Sequence, residues 1–203
     1  MLFRSRATLC ADPDLGVVGP LLWDRECPEV LLSAGGLDIT CHLVSHLTRL
    51  PDDRSVYPVY YVPGTVALIR AAALQEVGLL DEAYFFGVEM VDWCERARQY
   101  GYCSAIDARA FAFHSLARSS DLRERLHVYY VVRNRLLYIR RDRRHSGVQK
   151  VGLWGVWTLY SVGLMLSALF QGNRIRARAI GLALWHAFSG TAGGQNEVVL
   201  SGR

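Results

Sequence analysis

Glu89 and Asp92 stand three residues apart at the head of a helical pattern that runs to Tyr100 and stops at Gly101. Carboxylates in a first turn suit the positive end of the helix dipole, and a glycine just past the last turn supplies a left-handed cap. The aromatic pair Phe85-Phe86 and then Gly87 lead into them. Polar side chains at a loop-to-helix junction behind exposed aromatics are placed to meet a ligand, and a carboxylate there can accept a proton. The same spacing also describes a capped helix preceded by two core phenylalanines. Elsewhere the signal is thinner. His42 and His46, four apart, could share a helix face as metal ligands, yet no third ligand stands near them and they read as a surface pair. Asp12 and Asp14 flank Pro13 ahead of an apolar run and read as turn residues.

These residues need a scaffold, and 203 residues can bury a core in one domain, or in one domain with an appendage. An apolar share of 51% excludes general disorder. The five cysteines form no C-x-x-C pair, which argues against a disulfide framework or structural zinc and fits a reducing cytosolic setting. The first ten residues show no apolar run of signal-peptide length. Charge is unevenly spread: Arg118 to Arg178 holds 13 Lys and Arg against 3 Asp and Glu, while the rest of the chain is mildly acidic. The basic part calls for an anionic partner.

Leu2 to Ala11 reads as a helix end, Asp12 to Asp14 as a turn and Gly16 to Pro20 as a short buried strand. Glu29 to Ser33 is a short apolar run, and residues 38 to 56 read as a loop. Tyr57 to Val62 and Thr65 to Ile69 are β-rich runs around Pro63-Gly64, followed by a helix from Arg70 to Val77 that Gly78 closes. Tyr102 to Ile106 and Arg109 to Phe113 read as two strands ending at His114. From Ser119 the residues Leu122, Leu126, Tyr129, Val132, Leu136 and Ile139 form a helical apolar stripe among arginines.

Gly152 to Phe170 is 19 residues without a charge, bounded by Arg140 to Arg144 and by Arg174, Arg176 and Arg178. Ile180 to Phe188 adds a second apolar helix, and residues after Ser189 read as a loose tail. The uncharged run just reaches bilayer length, but basic clusters on both sides give no orientation under the positive-inside rule. A helical pair lying in or shallowly entering the cytoplasmic leaflet is favoured over a true span, with arginines on anionic headgroups.

Five motifs occur in order: Gly64-Thr65-Val66-Ala67-Leu68-Ile69-Arg70, the run from Val77 to Phe86, the run from Glu89 to Gly101, His114, and Arg133-Asn134. Together they resemble the C-terminal two-thirds of bacterial family 2 glycosyltransferases of the rhamnosyltransferase-like kind. The resemblance implies an α/β fold. A partial GT-A-like domain, related to Rossmann-like nucleotide-sugar transferases and forming the acceptor half, is expected over residues 1–117. Basic amphipathic and apolar membrane-associated helices are expected over 118–190, and a tail over 191–203. In that family a nucleotide-binding half with a D-x-D motif comes first, so the chain looks truncated and is not expected to transfer sugar alone.

The activity implied is inverting transfer from a nucleotide-sugar donor to a cell-envelope polysaccharide or lipid-linked acceptor, at the cytoplasmic face of the inner membrane. Such transfer needs a base for the acceptor hydroxyl and a divalent metal, Mn or Mg, to neutralise the departing diphosphate. The family's base is the Asp of a Glu-Asp pair. Here Glu89 keeps its place, but Met90 stands where the Asp should, and a thioether accepts no proton. Glu89 is the expected substitute, with Asp92 the other catalytic candidate. His114 matches a metal-binding imidazole. Gly64 and Thr65 match a segment where backbone approaches donor and acceptor closely. Phe85, Phe86 and Trp93 could stack on a sugar face, with core packing expected of at least one. Arg133 belongs to the family's Arg-Asn pair and is expected at the substrate. A non-catalytic, membrane-associated or partner-binding remnant is the alternative, and Met90 favours it. Nucleic-acid binding through Arg133 to Arg144 is not expected, because those arginines share a helix with the apolar stripe.

Overall fold

The computed structural model of the chain describes residues 2–51, 54–115 and 121–201. Two compact units are present: Met1–Asp81 with Glu89–Ala117, and Glu82–Val88 with Arg118–Arg203. The domain boundary expected at residues 117 and 118 lies outside the described residues.

The first unit mixes helix and sheet. Helix α1 (Leu2–Ala11) turns at Asp12, whose Oδ1 accepts the Asp14 amide at 3.0 Å, and enters β1 (Leu15–Asp24). Strands β2 (Leu31–Ser33), β3 (Val56–Pro58), β4 (Leu68–Ile69) and β5 (Cys103–His114) complete a five-stranded sheet of order β2-β1-β5-β3, with β4 also on β1. β1 and β5 run parallel; the other pairings are antiparallel. Val17, Val18 and Ile106 on this central pair have no solvent contact.

β1 continues four residues beyond the expected end at Pro20, because Pro20 sits at a register break where its own partner is Asp107 and the next, Leu21, pairs with Phe111. Proline donates nothing to a ladder, and a bulge is where a central strand can hold one. The same break makes one strand of what the sequence suggests are two. Asp107 is fully buried, accepting the Thr8 hydroxyl of α1 at 2.6 Å and Arg109 at 2.9 and 3.0 Å. These bonds fix the extra residues as a bulge rather than a loop. Residues 38–51 contain no helix, so His42 and His46 share no face; His42 meets the Asp38 carbonyl, and half-buried His46 lies by Ser33 and the Tyr61 ring. Helix α2 (Ala71–Val77) stops at Gly78 and α3 (Glu89–Gln99) just before Gly101, with φ of 88° and 89° at the two glycines.

The second unit contains α4 (Asp121–Arg141), α5 (Gly147–Phe170), α6 (Arg174–Ser189) and α7 (Asn196–Ser201). Tyr129, Val132, Leu136 and Ile139 of the α4 stripe share a core with Trp157, Ile180, Ala183 and Leu184, whereas Leu122 is 53% exposed. α5 starts before the uncharged run because Ser146 and Gln149 form a reciprocal capping box. α6 starts six residues ahead of Ile180 because the Asn173 side chain accepts the Arg176 amide. The segment after Ser189 is not loose. Gly190 takes a left-handed cap, Val199 of α7 is buried, and the Tyr130 hydroxyl both donates to Asn196 and accepts the Gln195 amide.

Candidate functional site

Helix α3 is fixed on two sides. On one, Arg96 donates to Asp92 and to the Val77 and Leu79 carbonyls, each at 2.8 Å, while Trp93 Nε1 donates to the Gly78 carbonyl at 2.9 Å. Arg96 thereby satisfies carbonyls left open at the end of α2. On the other, buried Glu95 accepts the Tyr60 hydroxyl at 3.0 Å and pairs with Arg98, whose second arm reaches the Tyr60 carbonyl at 2.7 Å.

Holding Tyr60 places the chain that follows it. Gly64 and Thr65 form an exposed turn against the start of α3. A Cβ on Gly64 would lie 3.3 Å from Oε1 of Glu89 and 3.1 Å from Cγ of Met90, so only glycine allows this approach without displacement. Glu89 is half-buried, and its Oε2 is out of solvent with no hydrogen-bond partner among the described residues. Buried polar atoms are normally paired, so this oxygen marks a place for a ligand's donor.

Two expectations in this unit need correction. Asp92 is spent on Arg96, so it orients the arginine that caps α2 rather than standing free as a base. Trp93 is wholly buried and serves the core, not a sugar face. His114 ends β5 in register with Asp24, and its carbonyl accepts the Arg25 amide at 3.1 Å. Among the described residues no three His, Cys, Asp or Glu side chains gather as a metal site. His114 and its neighbours therefore do not by themselves fit a divalent ion.

Phe85, Phe86 and Arg133 fall in the second unit. Arg133, also fully buried, donates to Asn134 Oδ1 at 2.8 Å, to the Gly193 carbonyl at 2.7 Å and to the Ala83 and Tyr84 carbonyls at 3.3 and 3.0 Å. The rings of Tyr129 and Tyr130 lie 5.4 and 4.9 Å from its guanidinium carbon. The substrate contact expected of Arg133 is corrected accordingly: it shapes the aromatic turn from behind. That turn leaves Phe85 and Phe86 53% and 46% exposed, with ring centroids 5.3 and 6.0 Å from that of Tyr130. Beside Arg133, the Tyr129 hydroxyl meets His186 Nδ1 at 2.5 Å. Burial pushes Tyr129 up to about 12, with Arg133 opposing, and holds His186 below its usual value, with Arg133 adding to the effect.

Sequence reasoning missed Tyr60, Glu95 and Arg98. The Glu95-Arg98 spacing was legible as a helix pair, but nothing local joins it to Tyr60, 35 residues before Glu95.

No family model matches the chain, and no solved structure matches it. Curated proteins do. Over 119 residues the chain is 32% identical to the N-acetylglucosaminyl-diphospho-decaprenol L-rhamnosyltransferase of Mycobacterium tuberculosis, in strains CDC 1551 / Oshkosh and H37Rv, a match covering 59% of this chain and 38% of that protein. Over 110 residues it is 24% identical to the low-salt glycan biosynthesis hexosyltransferase Agl10 of Haloferax volcanii, covering 52% of this chain and 36% of that protein. The chain thus spans under two-fifths of the length of the curated relatives it matches. The similarity is to glycosyltransferases of glycan assembly, at low identity and over about half of the chain.

Proposed function

We propose that this chain forms the acceptor side of a rhamnosyltransferase-like, GT-A-type glycosyltransferase of family 2. It moves a sugar, with inversion, from a nucleotide-sugar to a cell-envelope polysaccharide or lipid-linked acceptor. The observation that carries the reading is the approach of Glu89 to the exposed Gly64-Thr65 turn, with one carboxylate oxygen buried and unpaired. The similarity to a named rhamnosyltransferase gives that geometry its reaction class.

An acceptor hydroxyl at the turn donates to Glu89. As its oxygen bonds to the anomeric carbon, the bond to the leaving diphosphate breaks on the opposite face, and the hydroxyl proton passes to the carboxylate. Glu89 then returns that proton to solvent. Phe85 and Phe86 offer rings for stacking on a sugar. A divalent metal, Mn or Mg, is proposed for the reaction as a whole. His114 would offer it an imidazole, but the missing further ligands mean that no step is assigned to it here.

We also place the protein at the cytoplasmic face of the inner membrane. α5 is long and apolar enough to cross a bilayer, but only 17% of its apolar stretch is buried in the protein, and Val148, Val151, Leu159 and Phe170 are all more than two-thirds exposed. Arginines at both ends support a helix lying in the headgroup region. Native membranes containing the chain or its Glu89→Gln variant, given nucleotide-linked rhamnose, test the transfer reading by label reaching a lipid-linked or polymeric product. Transfer should fall 10²–10⁴-fold in the variant. Undiminished transfer by Glu89→Gln would overturn it. A non-catalytic, membrane-bound or partner-binding role is the second reading, favoured by Met90, which is 5% exposed beside Gly64 and can take no proton.

A further inference from the structure

In the second unit, the start of α4 and the α5–α6 turn enclose a half-open cleft of about 400 Å³, lined by Glu124, Arg125, Val128, Gly172, Asn173 and Arg176 among others. Nε of Arg125 is out of solvent there and has no hydrogen-bond partner among the described residues. A guanidinium N–H so placed is normally satisfied, and the protein supplies nothing to satisfy it. Arg176 is only loosely engaged, with Nη1 3.5 Å from Oε1 of Glu124, and both side chains are about half exposed. Asn173 already commits its side-chain oxygen to the Arg176 amide. The lining therefore has donors to spare and one carboxylate that an incoming anion can release from Arg176.

We propose that this cleft binds a diphosphate group. Two guanidinium forks match phosphate oxygens in a way that a single ammonium does not. The volume is larger than one phosphate requires, so two joined phosphoryl groups, one for each arginine, fill it better. The diphosphate could arrive on a lipid carrier or on a nucleotide. Shared chemistry defines the site, and the two sources differ in what hangs from it. The proposal does not depend on sugar transfer, because it is read from binding alone.

The test is calorimetric titration of the full chain with inorganic pyrophosphate at low salt. Saturable binding is expected, weakened about tenfold in Arg125→Gln and in Arg176→Gln, since each removes a charge-assisted pair of bonds. Glu124→Gln should bind severalfold tighter, because it removes the competing carboxylate. Arg4→Gln, an exposed arginine of the other unit, should bind as the parent does. Circular dichroism of each variant checks that the helices are intact, and Glu124→Gln keeps the test decisive if an arginine variant misfolds. Absence of saturable binding, no tightening in Glu124→Gln, or an equal loss in Arg4→Gln overturns the proposal. Competition then separates the sources. Octyl diphosphate displacing pyrophosphate at lower concentration than uridine diphosphate assigns a lipid-linked diphosphate, and the reverse order assigns a nucleotide.

Discussion

Asn134 brackets Phe85: its carboxamide nitrogen donates to the carbonyls on either side, Tyr84 at 2.8 Å and Phe86 at 2.6 Å, while Phe85 itself is held at a φ of 61°. Left-handed backbone at a bulky residue costs about 1–2 kcal/mol, and such strain persists only where surrounding bonds over-determine it. The Arg133-Asn134 pair supplies those bonds. Asn134→Ala should lower stability by about 2 kcal/mol and speed amide exchange at residues 85–87, because it leaves two carbonyls without their donor. Phe85→Gly in that background should recover part of the loss. Unchanged exchange in Asn134→Ala would show that something else holds the turn.

Gly64→Ala places a methyl group 3.1 Å from Met90 and 3.3 Å from Glu89 in an otherwise exposed turn. Stability should change by less than about 1 kcal/mol, since the turn can give slightly. Transfer should suffer more, chiefly as a raised KM for the acceptor, because the methyl group occupies the approach to Glu89. A variant that loses stability but keeps its acceptor KM would contradict this placement.

Met90→Asp looks from the sequence like repair of a missing base. Met90 is 5% exposed, however, so a carboxylate there is taken out of water with no cation in place. The expected outcome is a loss of about 3 kcal/mol in a urea titration, by analogy with unpaired buried charges, and no gain in rate. A faster, equally stable variant would mean that the site opens more than its packing indicates.

Protonation of His186 should unfold the second unit before carboxylates matter. Its folded value is depressed below the usual 6.5, first by burial and then by Arg133. A depressed value contributes stability that is fully present above the unfolded pKa and is lost as pH falls through the folded one. The urea midpoint should therefore decline below about pH 6.5. Half-buried His46, also depressed by burial, adds a decline of the same sign. His186→Gln should flatten the curve only in part, leaving the His46 share. A curve of undiminished slope in that variant would assign the effect elsewhere.

Membrane binding is best tested at Arg140 and Arg143, which are exposed, rather than at Arg144, whose guanidinium is tied to buried Asp142 at 2.8 Å. Replacing both by Gln should weaken binding to anionic vesicles roughly tenfold or more, at about 1 kcal/mol for each arginine, and make the remainder less salt-sensitive. Equal vesicle binding by the parent and the double variant would place the contact on another surface.

What the sequence determined by itself were the local features. Glu89 and Asp92 start α3, Gly101 stops it, and the spacing from Leu126 to Ile139 makes the buried face of α4, because caps and periodicity depend on residues within a turn or two. The Ser146 and Asn173 caps were equally legible in principle, although the uncharged run between them drew attention away. What only tertiary structure decided was the use of each polar or aromatic side chain. Asp92, Trp93 and Arg133 have the residue types of a site, yet their partners are Arg96, Gly78 and backbone carbonyls up to 60 residues away. The bulge at Asp107 likewise depends on Thr8, 99 residues earlier in the chain. Burial and pairing follow from which distant segments meet, and no local pattern encodes that meeting. For that reason Glu89 and Asp92 look interchangeable as letters, while in the folded chain one is tied to an arginine and the other keeps an unpaired oxygen at the Gly64 turn.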